Sequence, residues 1–149
     1  MGDLSDNFSL SEFLVSQTAA RMGRELVPTK KQKNYILHLT RKVLQPVREL
    51  LDRPVIITSG FRPDWLNKLI GGSEASQHMK GQAADFVVVG MTPIEVCKAI
   101  EDSGLEFDQL ICEFGKWVHV SYFPGMTLRN EILTAKSCDG TTEYYSGLT

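Results

Sequence analysis

Histidine is scarce in this chain, with three residues in 149, and so is cysteine, also with three. The cysteines are Cys97, Cys112 and Cys138. An odd count without metal-site spacing argues against a disulfide framework and against a Cys-based zinc site. They are expected as reduced thiols, the first two buried. A basic excess is also missing. Sixteen Lys and Arg face eighteen Asp and Glu, for a net charge of −2 and a pI of about 5.9. That balance lacks the basic footprint of a nucleic-acid binder. No apolar run approaches the roughly 20 residues that cross a bilayer. The opening "MGDLSDNFSL" has no basic n-region and no apolar h-region, so no secretion signal is expected. Met1-Gly2 alone is weak ground for myristoylation. A chain made and left in the cytoplasm, unless another system releases it, is the expectation. There is no internal repeat and no low-complexity stretch.

What is present is ordinary for a soluble domain: 42% apolar and 23% charged residues. The length suits one core. "FSLSEFLVS" (8–16) reads as a short helical turn. Residues 29–51 read as the main helix, with Thr29 as N-cap and an apolar stripe of Ile36, Val43, Val47 and Leu50, joined by Leu37, Leu44 and Leu51. Pro46 should kink it. "PVIITS" (54–59) is a strand between Pro54 and Gly60, and "RPDWLNKLI" a short helix stopped at Gly71-Gly72. "QAADFVVV" (82–89) is a second strand. "TPIEVCKAIEDSG" is a helix with a Thr92–Glu95 capping box, Pro93 at its first position and Gly104 at its end. "FDQLICEF" and "KWVHVSYF" form a hairpin about Gly115, and "EILTA" (131–135) adds a last strand. Residues 1–136 are expected as one domain and 137–149 as a loose, polar C-terminal tail. The sum is an α+β fold: a small, mainly antiparallel sheet with helices packed on one face.

The chemistry centres on "SQHMKGQAADF" (76–86), where His78 precedes Asp85 by seven residues. Side chains alternate along a strand, so an odd spacing cannot put both on one side of it. They converge only if His78 lies in a loop and Gly81 turns the chain into the strand that carries Asp85. His119, centred in "WVHVSY", is the obvious third ligand. Two histidines and an aspartate with an open position for water make the donor set of a catalytic zinc site. By spacing alone, the bland alternative of structural, hydrogen-bonding histidines also stands. His38, in the long helix without an acidic partner at ligand spacing, reads as structural.

The string from Ser76 to Asp85 resembles S-x-H-x-x-G-x-A-x-D. That pattern marks the zinc D-alanyl-D-alanine carboxypeptidases and L-alanyl-D-glutamate endopeptidases, phage endolysins among them, of the fold group that includes lysostaphin-type enzymes and the hedgehog signalling domain. Ser59-Gly60-Phe61-Arg62 resembles the family's S-G-[YF]-R, and Trp117-Val118-His119 its W-x-H strand. The likeness runs in order from about Phe8 to Tyr122. It implies a hedgehog/D-Ala-D-Ala-peptidase-like fold and Zn2+ held by His78, Asp85 and His119. It implies that Arg62 faces a substrate carboxylate or the developing oxyanion, roles that suit a guanidinium. Ser76 and, more weakly, Gln77 would bind substrate or orient the loop. Trp117, two residues from His119, would wall the cleft, with core packing the alternative. Trp65 reads as core.

The general base is where the chain departs from the D,D-dipeptidase branch, which has a carboxylate three residues before the last histidine. Lys116 occupies that position here. Glu113, six residues before His119, matches the hedgehog-type offset. A two-residue Gly115-Lys116 turn would pair it with Val118 and aim it away. A three-residue loop, or a bulge at Gly115, would pair it with Trp117 on the His119 face. The second arrangement is favoured, because catalysis needs a base. Asp108 is the runner-up, with a strand-end role the plainer reading. The resemblance thus implies a zinc peptidase acting on peptidoglycan stem peptides, D-Ala-D-Ala carboxypeptidase chemistry favoured. L-alanyl-D-glutamate endopeptidase, or an inactive zinc-stabilised binding module, is the alternative. From charge and hydropathy no nucleic-acid or membrane partner is expected, and a monomer is expected; the resemblance further implies action on the cell wall after release or from a virion. A facial-triad iron oxygenase fits poorly, since six residues separate His78 from Asp85.

Overall fold

The computed structural model describes residues 2–125 and 127–149. It is an α+β fold built on a six-stranded sheet in the order β1-β2-β4-β3-β5-β6. The strands are β1 (Val55–Ser59), β2 (Ala83–Val88), β3 (Gln109–Glu113), β4 (Trp117–Ser121), β5 (Glu131–Cys138) and β6 (Thr141–Ser146). Every neighbouring pair is antiparallel except β3 and β5. The helices are α1 (Gln17–Arg21), α2 (Lys30–Leu39), α3 (Gln45–Leu51), α4 (Asp64–Leu69) and α5 (Pro93–Ser103). A 3-10 turn at Leu10–Phe13 and another at Gln77–Lys80 complete it.

The sheet is two-faced because side chains alternate along each strand. Ala84, Phe86 and Val88 of β2, Leu110 and Cys112 of β3, and Val118 and Val120 of β4 join Ile36, Leu39, Val43, Val47, Val96 and Ile100 of the helices in one core. Their intervening neighbours, Asp85, Ile111, Glu113 and His119, point to the other face and line a cleft there.

The expected main helix forms as α2 and α3 joined by a π-helical turn at Thr40–Leu44. Pro46 lies in the first turn of α3, where its missing N–H costs least. The wider turn ahead of it closes with the Gln45 N–H on the Thr40 carbonyl. One stripe residue differs from expectation. Leu50 is 48% exposed, while Val47 is buried as expected and Leu39, outside the expected stripe, is also fully buried. The π turn adds a residue to one turn and rotates the face downstream of it, which turns Leu50 toward solvent. The helix at 93–103 has its Thr92–Glu95 capping box and a left-handed Gly104 at its end.

The tail also differs from expectation. Ser137 and Cys138 finish β5, and β6 follows through the two-residue turn Asp139-Gly140. Both turn residues have positive φ, 51° and 80°, the geometry of a type I′ hairpin. Exposure of every β6 residue made the segment look loose. The Asp-Gly turn and the ladder to β5 order it.

Candidate metal centre

Three elements bring the site together. Asp85 on β2 pairs directly with His119 on β4, so both side chains leave the same face side by side. His78 arrives from the 3-10 turn that precedes β2. Gly81 ends that turn at φ +77°, and a Cβ there would lie 2.6 Å from the Gln32 carbonyl oxygen. Only glycine fits both the backbone angle and the space. This is the turn that lets residues seven apart converge.

β1 positions His78 from the other side. Between Ile57 and Ser59 the register against β2 slips, so Ser59 sits opposite Asp85. The bulge carries the Gly60 carbonyl over the imidazole, which donates from Nδ1 at 2.8 Å. Gly60 is itself pressed on Phe13, whose Cα would lie 2.6 Å from an added Cβ. With the proton fixed on Nδ1, the Nε2 lone pair of His78 faces Asp85.

The donor atoms fit zinc. His78 Nε2 and His119 Nδ1 lie 3.3 and 2.9 Å from the same Asp85 oxygen. One ligand atom from each of the three falls within 4.8 Å of the others. Zinc bonds of roughly 2.0–2.1 Å in a tetrahedron put ligand atoms about 3.3 Å apart. The rings of His78 and His119 meet edge to face at 5.2 Å. Burial by itself would raise the Asp85 pKa, but the two imidazoles outweigh it and hold the carboxyl well below the usual range. The group is therefore anionic at neutral pH, as a carboxylate that is to hold a cation must be.

Glu113 shares this face. A three-residue loop, Phe114 to Lys116, joins β3 to β4 and pairs Glu113 with Trp117. Phe114 and Gly115 both take positive φ, 58° and 64°. Glu113 Oε1 lies 3.7 Å from His119 Nδ1. Burial and the Asp85 carboxylate raise its pKa above the ordinary glutamate value, against the pull of His119 and Arg62. A raised carboxylate beside a metal site is suited to taking and returning a proton. Lys116, at the other branch's position, is exposed in the loop.

Arg62 closes one side. Its Nη2 donates to Ser76 Oγ at 3.1 Å, and that same oxygen accepts from the His78 backbone N–H. Its Nε is buried and has no partner among the described residues. Buried donors left unpaired are costly, which points to a ligand that completes them. Burial lowers the Arg62 pKa, and the Asp85 and Glu113 carboxylates oppose the shift. Ser76 thus orients both Arg62 and the loop. Gln77 lines the cleft, but its amide is taken by Asp108, at 3.0 Å. Asp108 is fully buried, held by the Arg129 backbone N–H and guanidinium, and is a structural partner rather than a base. Trp117 lines the cleft and stacks at a tilt on Phe114. Trp65 is half-buried against the core with Arg24 over its ring, and His38 is half-buried in α2, away from the cleft. Cys97 and Cys112 are buried free thiols.

The cleft has a volume of about 500 Å³. Gln109, Ile111, Arg129, Leu133 and Tyr144 also line it, and none was marked from sequence. Gln109 and Ile111 follow from the period of β3 once His119 is placed. Arg129, Leu133 and Tyr144 reach the site only because β5 runs parallel to β3 and β6 folds back on β5.

The family model described as Peptidase M15 matches residues 6–121, which takes in all three candidate ligands. No curated protein matches this sequence.

Proposed function

The chain belongs to the M15 family of zinc-dependent peptidases, and we propose that it hydrolyses amide bonds in peptidoglycan stem peptides, as a D-Ala-D-Ala carboxypeptidase. The observation that carries this reading is the placing of Glu113 beside the His-Asp-His group, 3.7 Å from His119, in a cleft that also holds an incompletely paired Arg62.

His78, Asp85 and His119 hold the metal. Zinc, when bound, supplies Lewis acidity that acidifies a water and polarises the scissile carbonyl. Glu113 takes the proton from the attacking water and passes it to the leaving amine. Arg62 donates its free N–H groups to the substrate's terminal carboxylate, and Ser76 holds that guanidinium in place. Trp117 walls the cleft and limits water around Glu113. The substrate puts the site of action at the cell wall, reached after release from the producing cell or from a virion.

The test is mass spectrometry of pentapeptide muropeptides incubated with the zinc-loaded protein, with Glu113→Ala in parallel. Loss of one terminal alanine from the wild type alone supports the proposal. A cut between L-alanine and D-glutamate makes the protein an endopeptidase on the same site. No product from folded, zinc-replete protein, on intact wall as well, leaves a zinc-stabilised binding module.

A further inference from the structure

Outside the metal centre, a buried carboxylate, Asp108, is held by several charge-assisted hydrogen bonds. This carboxylate is 1% exposed. Its Oδ1 accepts from the backbone N–H and the Nε of Arg129, at 3.1 and 3.0 Å. Its Oδ2 accepts from Arg129 Nη2 at 2.6 Å and from Gln77 Nε2 at 3.0 Å. The pairing uses one edge of the guanidinium and fixes its plane. The other edge is uncommitted: Nη1 has only Glu131 nearby, at 3.9 Å. That glutamate oxygen already accepts from Gln109 Nε2 at 2.6 Å. The Arg129 side chain is half-exposed and lines the cleft. Gln77 ties it to the turn that carries His78.

We propose that Arg129 is a second carboxylate-binding residue of the cleft, pre-oriented by buried Asp108, and that it selects substrates carrying an anionic group besides the one Arg62 takes. This inference rests on the stem-peptide reading and deepens it. A guanidinium tethered along one edge offers its outward N–H groups in a fixed direction, so little rotamer freedom is lost on binding. What distinguishes this one is that the same side chain is half-exposed and lines the cleft. Arg129 also lies beyond the family-matched residues 6–121, so it is a feature through which one member can differ from another. With the C-terminus taken by Arg62, the anionic group that a stem pentapeptide with lysine at its third position offers Arg129 is the α-carboxylate of its γ-linked D-glutamate.

The experiment is titration calorimetry on the zinc-loaded Glu113→Gln protein, which binds without turnover. Three pentapeptides are compared: unmodified, amidated at the D-glutamyl α-carboxylate, and amidated at the C-terminus. Each is repeated in an added Arg129→Met background and in Arg129→Lys. Because the readout is a ratio of Kd values within one variant, a lower folded fraction does not mimic the effect. The expected result is that each amidation weakens binding about ten-fold or more. Arg129→Met then brings the D-glutamyl ratio close to one and leaves the C-terminal ratio intact, and Arg129→Lys restores part of the D-glutamyl ratio. Collapse of the C-terminal ratio instead overturns the inference. Two unchanged ratios, no effect of either amidation, or no binding of any pentapeptide overturns the inference. Cleavage of all three peptides alike by the wild type overturns it too and leaves the peptidase reading standing. Discrimination in binding without cleavage does the reverse.

Discussion

Glu113 is defined by where it points, and a residue-scale substitution tests that directly. Glu113→Gln keeps the side-chain volume and removes the proton acceptor. The expected loss is about 10²- to 10⁴-fold in kcat, the range of a general base. Zinc content should stay near one per chain, as measured by elemental analysis of the dialysed protein. A loss of zinc together with activity would make Glu113 a ligand instead. His78→Ala gives the opposite pattern. It removes a donor held by the Gly60 carbonyl, so metal content should fall with activity. Gly81→Ala tests the turn itself. A positive φ for a non-glycine residue costs about 1–3 kcal/mol. The added Cβ would also meet the Gln32 carbonyl at 2.6 Å. The variant should melt lower and bind zinc more weakly, since the strain sits three residues from His78. An unchanged melting point and metal affinity would mean that the loop moves freely.

At the scale of elements, much of the site was legible because it is local. Gly81 between a loop histidine and a strand aspartate announces convergence, and the capping box at Thr92 announces α5. The hairpin placing Glu113 opposite Trp117 was legible as the alternative that chemistry requires, with Gly115 as its licence. What could not be read was which strands lie together. The Asp85–His119 pair exists because β2 neighbours β4, and no spacing in the sequence says so. The same holds for the parallel step from β3 to β5, which brings Leu133 alongside Ile111. The Asp139-Gly140 turn carried a hairpin signal, masked by a strand, "TTEYYS", with no buried face to give it a period. That strand holds Tyr144 in the row Trp117, Glu113, Ala135, Tyr144 across the sheet. Ala135, between Glu113 and Tyr144 in that row, is small and fully buried, and Tyr144 itself lines the cleft. A chain stopped after Cys138 should therefore still fold and bind zinc, with kcat/KM on pentapeptide lowered about ten-fold. Circular dichroism, metal content and the muropeptide assay check the three parts. Unaltered kcat/KM would remove β6 from the cleft wall.

At the scale of the molecule, the metal and the buried ion pair couple the site to stability in different pH ranges. Zinc binds the folded chain and not the unfolded one, so it stabilises by mass action. Chelation should lower the melting temperature, and added zinc should restore it. Asp108 acts through protons. Its burial pushes the pKa up, but the hydrogen bonds from Arg129 and Gln77 outweigh that and leave it below the ordinary carboxylate value. A carboxyl whose pKa is lowered on folding adds stability above its unfolded pKa of about 3.9, and that share is lost as pH falls toward the folded value. Asp108→Asn removes the charge at every pH. It should cost roughly 2 kcal/mol at pH 7, because the Arg129 guanidinium loses its partner. Below about pH 3.5 the difference from wild type should shrink. Urea unfolding of both proteins, stripped of zinc, at pH 7 and pH 3 measures it. A gap as wide at pH 3 as at pH 7 would show that packing, rather than ionisation of Asp108, sets its contribution. Arg129 would then be held at the cleft by shape alone, and its orientation would survive neutralisation of its partner.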